Sequence, residues 1–371
     1  MVTNQKKLEN KSNKDHFFMN LAFLQANRII GNTGTNPAVG CIIVKNGCVI
    51  SSGHTSYKGR PHAEVNALQK GNRKKYVSSS IYVSLEPCSH HGKTAPCSNK
   101  ISKILPKNVV YPILDYDFRS RNKCKKILQK NKIKTQILKN YRYSKIFYKY
   151  YKNFKEKKIP FVSCKLAISK DFFIKNKKKI WITNQMSRGR VHILRAMHDS
   201  ILTSIKTVNE DDPILNCRIK DLEKHSPSRF ILDKNLEISI NSKIVKSAYK
   251  YKTYLFYNRN SKNKIKKLKN KKIKLIYTSL DKDGFFNLRE VLYKMQKIGY
   301  TRIFLEAGQK LTYSFIKNNL INDLHIFQSQ NKLGPKGMKK INFIKKINLF
   351  SKKNLNNVYL GGDKFYTLKI K

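Results

Sequence analysis

His62, Glu64, Cys88 and Cys97 are the residues of this chain best equipped to do chemistry. One imidazole and two thiolates are three ligands of the softness zinc prefers, and a tetrahedral ion held this way keeps its fourth position for water. Glu64, two residues beyond the histidine, is placed to move that water's proton rather than to bind the metal. The expectation is one zinc per chain on His62, Cys88 and Cys97, with Glu64 as the catalytic acid/base. Each piece alone is weak, since H-x-E recurs by chance and a buried Cys is ordinarily just a small apolar residue. The flanking elements strengthen the set. Ile81-Tyr82-Val83-Ser84-Leu85 alternates like a strand that delivers Cys88 from its C-terminal end. Ala63 to Leu68 reads as a helix carrying His62 and Glu64 at its start. Pro96 opens a second helix at Cys97, where the helix dipole favours a thiolate.

H-x-E followed by P-C-x-x-C is the mark of zinc deaminases, in which water displaces an amine from a ring carbon. The chain keeps the first parts and departs at the last, because Cys88 and Cys97 are separated by Ser89-His90-His91-Gly92-Lys93-Thr94-Ala95-Pro96. That loop resembles the PCSHHG(R/K)TPPC loop of bifunctional riboflavin-biosynthesis deaminase/reductases. Asn36-Pro37-Ala38-Val39-Gly40-Cys41-Ile42-Ile43-Val44 is similar to the family's NPxVGxVIV strand, and His62 to Leu68 to its HAEVxAL helix. Trp181-Ile182-Thr183, Leu194-Arg195-Ala196, Thr207 to Pro213 and Glu306-Ala307-Gly308 then follow in the order of the family's reductase half. The resemblance spans about residues 15 to 365, and the zinc loop is its most specific part.

The resemblance implies a two-domain α/β chain: a cytidine-deaminase-like three-layer α/β/α domain at 15–150 and a dihydrofolate-reductase-like domain at 159–371, behind a solvated tail at 1–14. It implies deamination of 2,5-diamino-6-ribosylamino-4(3H)-pyrimidinone 5′-phosphate, then NADPH reduction of the ribosyl group to ribityl. In the second half it assigns Ala167, Trp181, Thr207, Asp211 and the run Gly308, Gln309, Lys310, Leu311, Thr312, Tyr313 and Ser314 to the cofactor. Lys179, Arg195, Leu215, Arg218 and Glu306 fall to the substrate. Trp181 is also readable as a core residue, and Asp211-Asp212-Pro213 as a simple turn. Asn36 can meet the pyrimidine ring or simply make its turn before Pro37, while His90, His91 and Lys93 read as substrate-side or structural. Departures from the family concentrate in the second half. Phe172 stands where the family's SLDGR has glycine, and Lys179 and Lys234 replace serines. In the first half, DPNPxVxGRG has become Asp115-Tyr116-Asp117-Phe118-Arg119-Ser120-Arg121-Asn122.

Composition sets the bounds. A chain of 371 residues holds two domains of ordinary size. Seven cysteines are an odd count, too sparse for a disulfide scaffold, and fit a reducing, cytoplasmic setting. No apolar run approaches the roughly 18 residues of a spanning helix. The net charge of +56 would ordinarily point to nucleic acid, and a tRNA-type base deaminase is the alternative it favours. The excess, however, is mostly lysine, runs the whole length, and comes with abundant Asn, Ile, Tyr and Phe, the signature of an AT-rich coding bias. The expected partner is therefore a small phosphoribosyl pyrimidine, with no specific nucleic acid and no membrane; a homo-oligomer is left open. A deaminase carrying an inert reductase-like domain is the second alternative.

The order of elements follows from local signals. Asp15 is a candidate cap for a helix burying Phe17, Phe18, Leu21, Leu24 and Gln25. Lys45-Asn46-Gly47 predicts a hairpin turn. Further strands are expected near Val109-Val110 and at Phe161 to Ala167, and the boundary at Pro160 after a Tyr- and Lys-rich stretch. With no G-x-G-x-x-G, a Rossmann site is not indicated.

Overall fold

Asn46 and Gly47 both adopt positive φ, 53° and 79°, as a type I′ turn demands. They close the hairpin of β1 (Gly40–Lys45) and β2 (Cys48–His54). β1 pairs antiparallel with β3 (Ser80–Val83), and β4 (Asn108–Tyr111) and β5 (Lys134–Ile137) continue in parallel, so the order is β2-β1-β3-β4-β5. Two glycines show how the layers close. Gly40 and Gly53 lie one register step apart on opposite faces of the hairpin. A Cβ on Gly40 would sit 1.9 Å from the Ala22 carbonyl oxygen, and one on Gly53 2.4 Å from that of Ala63. Helices α1 (Val2–Asn27) and α2 (Ala63–Leu68) therefore press on the two faces at backbone contact. The result is a three-layer α/β/α unit, completed by α3 (Arg73–Tyr76), α4 (Cys97–Lys103), α5 (Cys124–Lys130), α6 (Tyr143–Phe147) and α7 (Lys149–Lys157).

The second unit alternates strands and helices: β6 (Phe161–Ile168), β7 (Phe173–Asn176), α8 (Gln185–Ala196), β8 (Ser200–Ser204), α9 (Ile205–Asp211), β9 (Ser228–Leu232), α10 (Lys243–Lys246), β10 (Thr253–Tyr257), α11 (Lys262–Asn270), β11 (Ile273–Tyr277), α12 (Leu288–Lys297), β12 (Arg302–Leu305), α13 (Gln309–Lys317), β13 (Asp323–Gln328), β14 (Gly337–Lys340), β15 (Lys353–Leu355) and β16 (Lys364–Lys369). Nine strands form one sheet in the order β11-β10-β9-β8-β12-β6-β13-β16-β15, parallel up to β13 and antiparallel beyond it. Alternation along β9 sends Phe230 and Leu232 into the core on one face and Ile231 into the core on the other. This computed structural model describes residues 2–69, 71–178, 181–259, 261–341 and 353–370. The division into two units falls between Lys158 and Ile159, and among the described residues no helix is long and apolar enough to cross a membrane.

Three expectations at the N-terminal end are corrected. The segment 1–14, expected as a tail, contributes the first turns of α1, which begins at Val2. Asp15 is therefore inside the helix and caps nothing; it is buried and accepts hydrogen bonds from Tyr82 Oη (2.7 Å) and Gln136 Nε2 (2.9 Å). The buried face is Phe18, Met19, Ala22, Phe23 and Ala26, while Phe17 and Leu24 are exposed. Two apolar stripes a residue apart compete on this helix, and only the partner sheet decides between them. The first unit also runs on through α7 to Lys158, beyond the expected end at 150.

Candidate active sites

β3 ends at Val83 and the chain runs straight on through Leu85 and Glu86 to Cys88, so a parallel-sheet edge delivers the first thiol. His62 is the N-cap of α2 with Glu64 in its first turn, and Cys97 is the first residue of α4 behind Pro96. Three separate elements thus converge on one point. The Nδ1 atom of His62 lies 3.5 Å from Cys88 Sγ and 3.4 Å from Cys97 Sγ, and all three ligand atoms fall within 4.8 Å of one another. Zinc–nitrogen bonds of about 2.0 Å and zinc–sulfur bonds of about 2.3 Å at tetrahedral angles put N and S about 3.5 Å apart, so the cluster has the spacing of a zinc site. The protonation pattern agrees. Hydrogen bonds from Cys97 and His62 pull the Cys88 thiol down to about 4. Cys97, buried beside that thiolate and Glu64, is pushed well above the usual thiol range.

Glu64 is buried, and desolvation raises its carboxyl above the ordinary range, the direction wanted in a group that takes and returns a proton near neutral pH. It lies on a cavity of about 360 Å³, together with Asn36, Arg60, His62, Cys88, His90, Lys93 and the 115–119 loop. Asn36 lines the cavity, its backbone N–H closes a turn on Thr33 O at 3.3 Å, and its Nδ2 donates to Gly59 O at 2.9 Å. His90 is anchored to Ser120 Oγ at 2.6 Å, His91 is exposed, and neither belongs to the His/Cys/Cys cluster.

The altered 115–122 loop is firmly built. The buried Glu86 carboxylate accepts backbone N–H bonds from Asp115 (3.0 Å), Asn122 (3.0 Å) and Cys124 (3.2 Å), the last at the start of α5. Asp117, which stands at the family's asparagine, accepts from Arg119 Nε (2.9 Å), Arg119 Nη2 (2.6 Å) and Lys155 Nζ (2.8 Å). These bonds hold its carboxyl far below the usual range. Sequence reasoning missed Glu86, Asp117, Arg119, Tyr151 and Lys155 as site residues. The last two come from α7, whose Tyr/Lys-rich composition looked like a boundary segment.

In the second unit, two of the expected residues, Arg195 and Glu306, meet directly. Arg195, near the end of α8, grips Glu306 after β12 with Nε–Oε1 at 2.6 Å and Nη2–Oε2 at 2.9 Å, and donates from Nη1 to Asn216 O at 3.0 Å. Both side chains of this fork are only 12% exposed, and the guanidinium holds the Glu306 carboxyl below its ordinary range against the pull of burial. Burial lowers the ammonium of neighbouring Lys165 on β6, opposed by the charge of Glu306. His192 Nδ1 meets the Arg218 backbone N–H at 3.3 Å, while the Arg218 side chain is exposed. Lys165, His192 and Asn216 were not foreseen.

Ala167 lies near the end of β6 and Thr207 in the first turn of α9. Asp211, at the end of α9, faces Lys175 at 3.6 Å. Gly308 is the N-cap of α13, whose N-terminus carries no side-chain cap and no acidic residue. Among the described residues no atom lies within 4 Å of where a Cβ would stand. That end can hold a cofactor phosphate on free N–H groups, so the residues fit a nicotinamide dinucleotide phosphate. Gln309, Lys310 and Leu311 form the first turn. Thr312 is fully buried against Ala307 and Cys164, Tyr313 is exposed, and Ser314 Oγ bonds back to Lys310 O. Trp181 is 75% exposed under the Arg188 guanidinium, so the core reading of it is wrong. Leu215 packs its side chain into the core and holds φ 56°. Lys234 donates to Gly284 O at 3.0 Å. Lys179 lies outside the described residues.

Residues 12–113 match the cytidine and deoxycytidylate deaminase zinc-binding region, and 160–341 match the RibD C-terminal domain. The riboflavin biosynthesis protein RibD of Buchnera aphidicola is 34% identical over 340 residues, 86% of this chain and 88% of that protein. That of Aquifex aeolicus is 29% identical over 84% of this chain and 86% of its own. Among solved structures, Acinetobacter baumannii RibD (form 1) superposes with a TM-score of 0.82 at 25% identity, covering 96% of this chain and 99% of that one. A diaminohydroxyphosphoribosylaminopyrimidine deaminase/5-amino-6-(5-phosphoribosylamino)uracil reductase from Thermotoga maritima does so with 0.82 at 24%, covering 97% and 99%.

Proposed function

The chain belongs to the RibD family of riboflavin biosynthesis proteins, and from that premise we propose how its two units share the work. It is a bifunctional deaminase and reductase that uses zinc and NADPH. The first unit takes 2,5-diamino-6-ribosylamino-4(3H)-pyrimidinone 5′-phosphate, and His62, Cys88 and Cys97 hold the metal. Zinc bound there supplies a water that ionises near neutral pH. Glu64 would carry both protons of that water in turn, the first to the ring nitrogen and the second to the departing amine, which leaves as ammonia while the water oxygen becomes the ring carbonyl. The spacing of His62 Nδ1 from the two sulfurs beside a buried Glu64 is the observation that carries this reading.

The second unit reduces the ribosyl group of the deaminated product. NADPH supplies the hydride, with its phosphates received at the open N-terminus of α13. Arg218 is the exposed cation for the substrate phosphate. Arg195 spends its fork on Glu306 and the Asn216 carbonyl, and so fixes the carboxylate that meets the opened sugar. The intact Arg195–Glu306 pair favours a working reductase over an inert one. The substrate is a small molecule, the lysine excess serves no specific nucleic acid, and the described cysteines, all free, suit the cytoplasm.

The test is to assay the two half-reactions separately on one preparation. Glu64→Gln keeps zinc, measured by metal analysis, and loses deamination by roughly 10²- to 10⁴-fold, with NADPH oxidation on supplied intermediate unchanged. Full deamination by that variant refutes the role of Glu64. No NADPH oxidation by the wild type refutes the reductase.

A further inference from the structure

Arg229 is fully buried on β9, and nothing in the mechanism above uses it. Among the described residues it has no carboxylate partner, and burial brings its guanidinium down to about 10. Every nitrogen of the fork is nevertheless bonded to a neutral oxygen. Nε donates to Thr253 Oγ1 (3.0 Å), Nη1 to Ile214 O (2.9 Å) and Ser247 Oγ (2.8 Å), and Nη2 to Ile244 O (2.9 Å), Tyr251 O (3.2 Å) and Thr253 Oγ1 (2.6 Å). An uncompensated buried cation is costly, and a neutral apolar side chain would pack here without that cost. The bonds it makes are therefore the feature to explain.

Two of them lead to one place. Ile214 begins the segment that runs through Leu215, held at φ 56°, to Arg218. Tyr251, whose ring lies 5.3 Å from the guanidinium, accepts at its hydroxyl from Asn216 Nδ2 (3.1 Å). The carbonyl of that same Asn216 is the oxygen gripped by Arg195 Nη1, and Arg195 holds Glu306. The segment is thus pinned from below by Arg229, directly and through Tyr251, and from above by Arg195.

We propose that Arg229 is a positioning residue for the sugar-phosphate site of the second unit, acting through Ile214 and Tyr251 to hold Leu215–Arg218 against Arg195. The inference rests on the reductase reading above. A left-handed leucine and a carbonyl turned toward a guanidinium are conformations a free loop would leave. Pinning them before the ligand arrives spares the ordering that binding would otherwise require.

The experiment uses the full-length zinc-loaded chain as wild type, Arg229→Lys, Arg229→Met and Tyr251→Phe. Ribose 5-phosphate affinity is read by calorimetry, NADPH-dependent reduction by KM and kcat, and deamination serves as the internal control. Lysine keeps the charge and loses the fork, so both Arg229 variants should bind ribose 5-phosphate about tenfold more weakly and raise KM more than they lower kcat. Tyr251→Phe should weaken binding by about threefold, and by less than that when added to Arg229→Lys, because the two act in series. Deamination stays at the wild-type rate. A folded Arg229 variant with wild-type affinity and KM overturns the proposal. Should neither Arg229 variant fold, Tyr251→Phe decides, and unchanged affinity there overturns it equally. Wild type that oxidises no NADPH removes the reductase reading and this inference together; wild-type turnover with unaffected variants removes this inference alone.

Discussion

Replacing Glu86 by glutamine tests whether one carboxylate organises a wall of the deaminase cavity. Glu86 is 2% exposed, and its two oxygens accept three backbone N–H bonds: Oε2 from Asp115 and Asn122, Oε1 from Cys124. Hydrogen bonds to a charged group contribute about 1.5–3 kcal/mol each and neutral ones about 0.5–1.5 kcal/mol. Glutamine keeps one oxygen, so two bonds survive in weakened form. The third becomes an N–H facing the N–H of Cys124. Relief from burying a charge offsets part of this, which leaves a loss of about 2–4 kcal/mol. Hydrogen exchange at the amides of 115, 122 and 124 reads that loss directly, and about 3 kcal/mol corresponds to exchange roughly 100-fold faster. Because the same loop presents Asp115, Asp117 and Arg119 to the cavity, KM for deamination should rise while zinc content stays whole. Unchanged protection at these three amides would refute the reasoning, whatever happened to activity.

Asp115 has its carboxyl raised by burial to about 7, so the folded state holds a proton that the unfolded state releases near pH 4. Stability of the first unit should therefore fall as pH rises from about 4 to 7, by up to about 4 kcal/mol from this group. Asp115→Asn should flatten the slope in a pH series of thermal midpoints; an unchanged slope refutes it. Phe172 holds φ 70° where the family has glycine, a strain of about 1–2 kcal/mol for a bulky residue. Phe172→Gly should be more stable than Phe172→Ala by about 1 kcal/mol in urea unfolding, the reverse of the usual order, and equal stability would remove the strain argument. Binding to an unrelated RNA should be weak and gone by moderate salt in a filter or anisotropy titration; tight, salt-resistant binding would revive the nucleic-acid reading.

The zinc cluster was legible because its chemistry is written in residue type. Histidine, glutamate and two cysteines have few other reasons to stand beside a strand end and two helix starts, and the hairpin was legible because Asn-Gly states its own dihedrals. What stayed hidden depends on partners far along the chain. The role of Glu86 lies in amides 29 to 38 residues away, and no local pattern records that. Arg229 precedes the apolar run Phe230-Ile231-Leu232 and looks like an exposed strand end until α10 and Tyr251 close over it. The buried stripe of α1 was misread because the helix carries apolar residues on both sides, and only the sheet it meets breaks the tie. That α7 contributes Tyr151 and Lys155 to the cavity was hidden by a Tyr- and Lys-rich composition that reads as a boundary segment.

The place of β6 in the nine-stranded sheet bears on how the molecule is made. The first unit completes its strand pairings within its own 158 residues. β6 is the next strand synthesised, yet its neighbours are β12 at 302–305 and β13 at 323–328. Phe161-Val162-Ser163-Cys164-Lys165-Leu166-Ala167-Ile168 must therefore wait, with both edges unpaired, while roughly 140 further residues are added, which at about 5–20 residues per second is several to tens of seconds. Such a strand is a template for pairing with any other chain, and closing so distant a contact is slow. The yield of active protein should then be set in the second unit during synthesis, at a strand whose finished position is among the best protected in the fold.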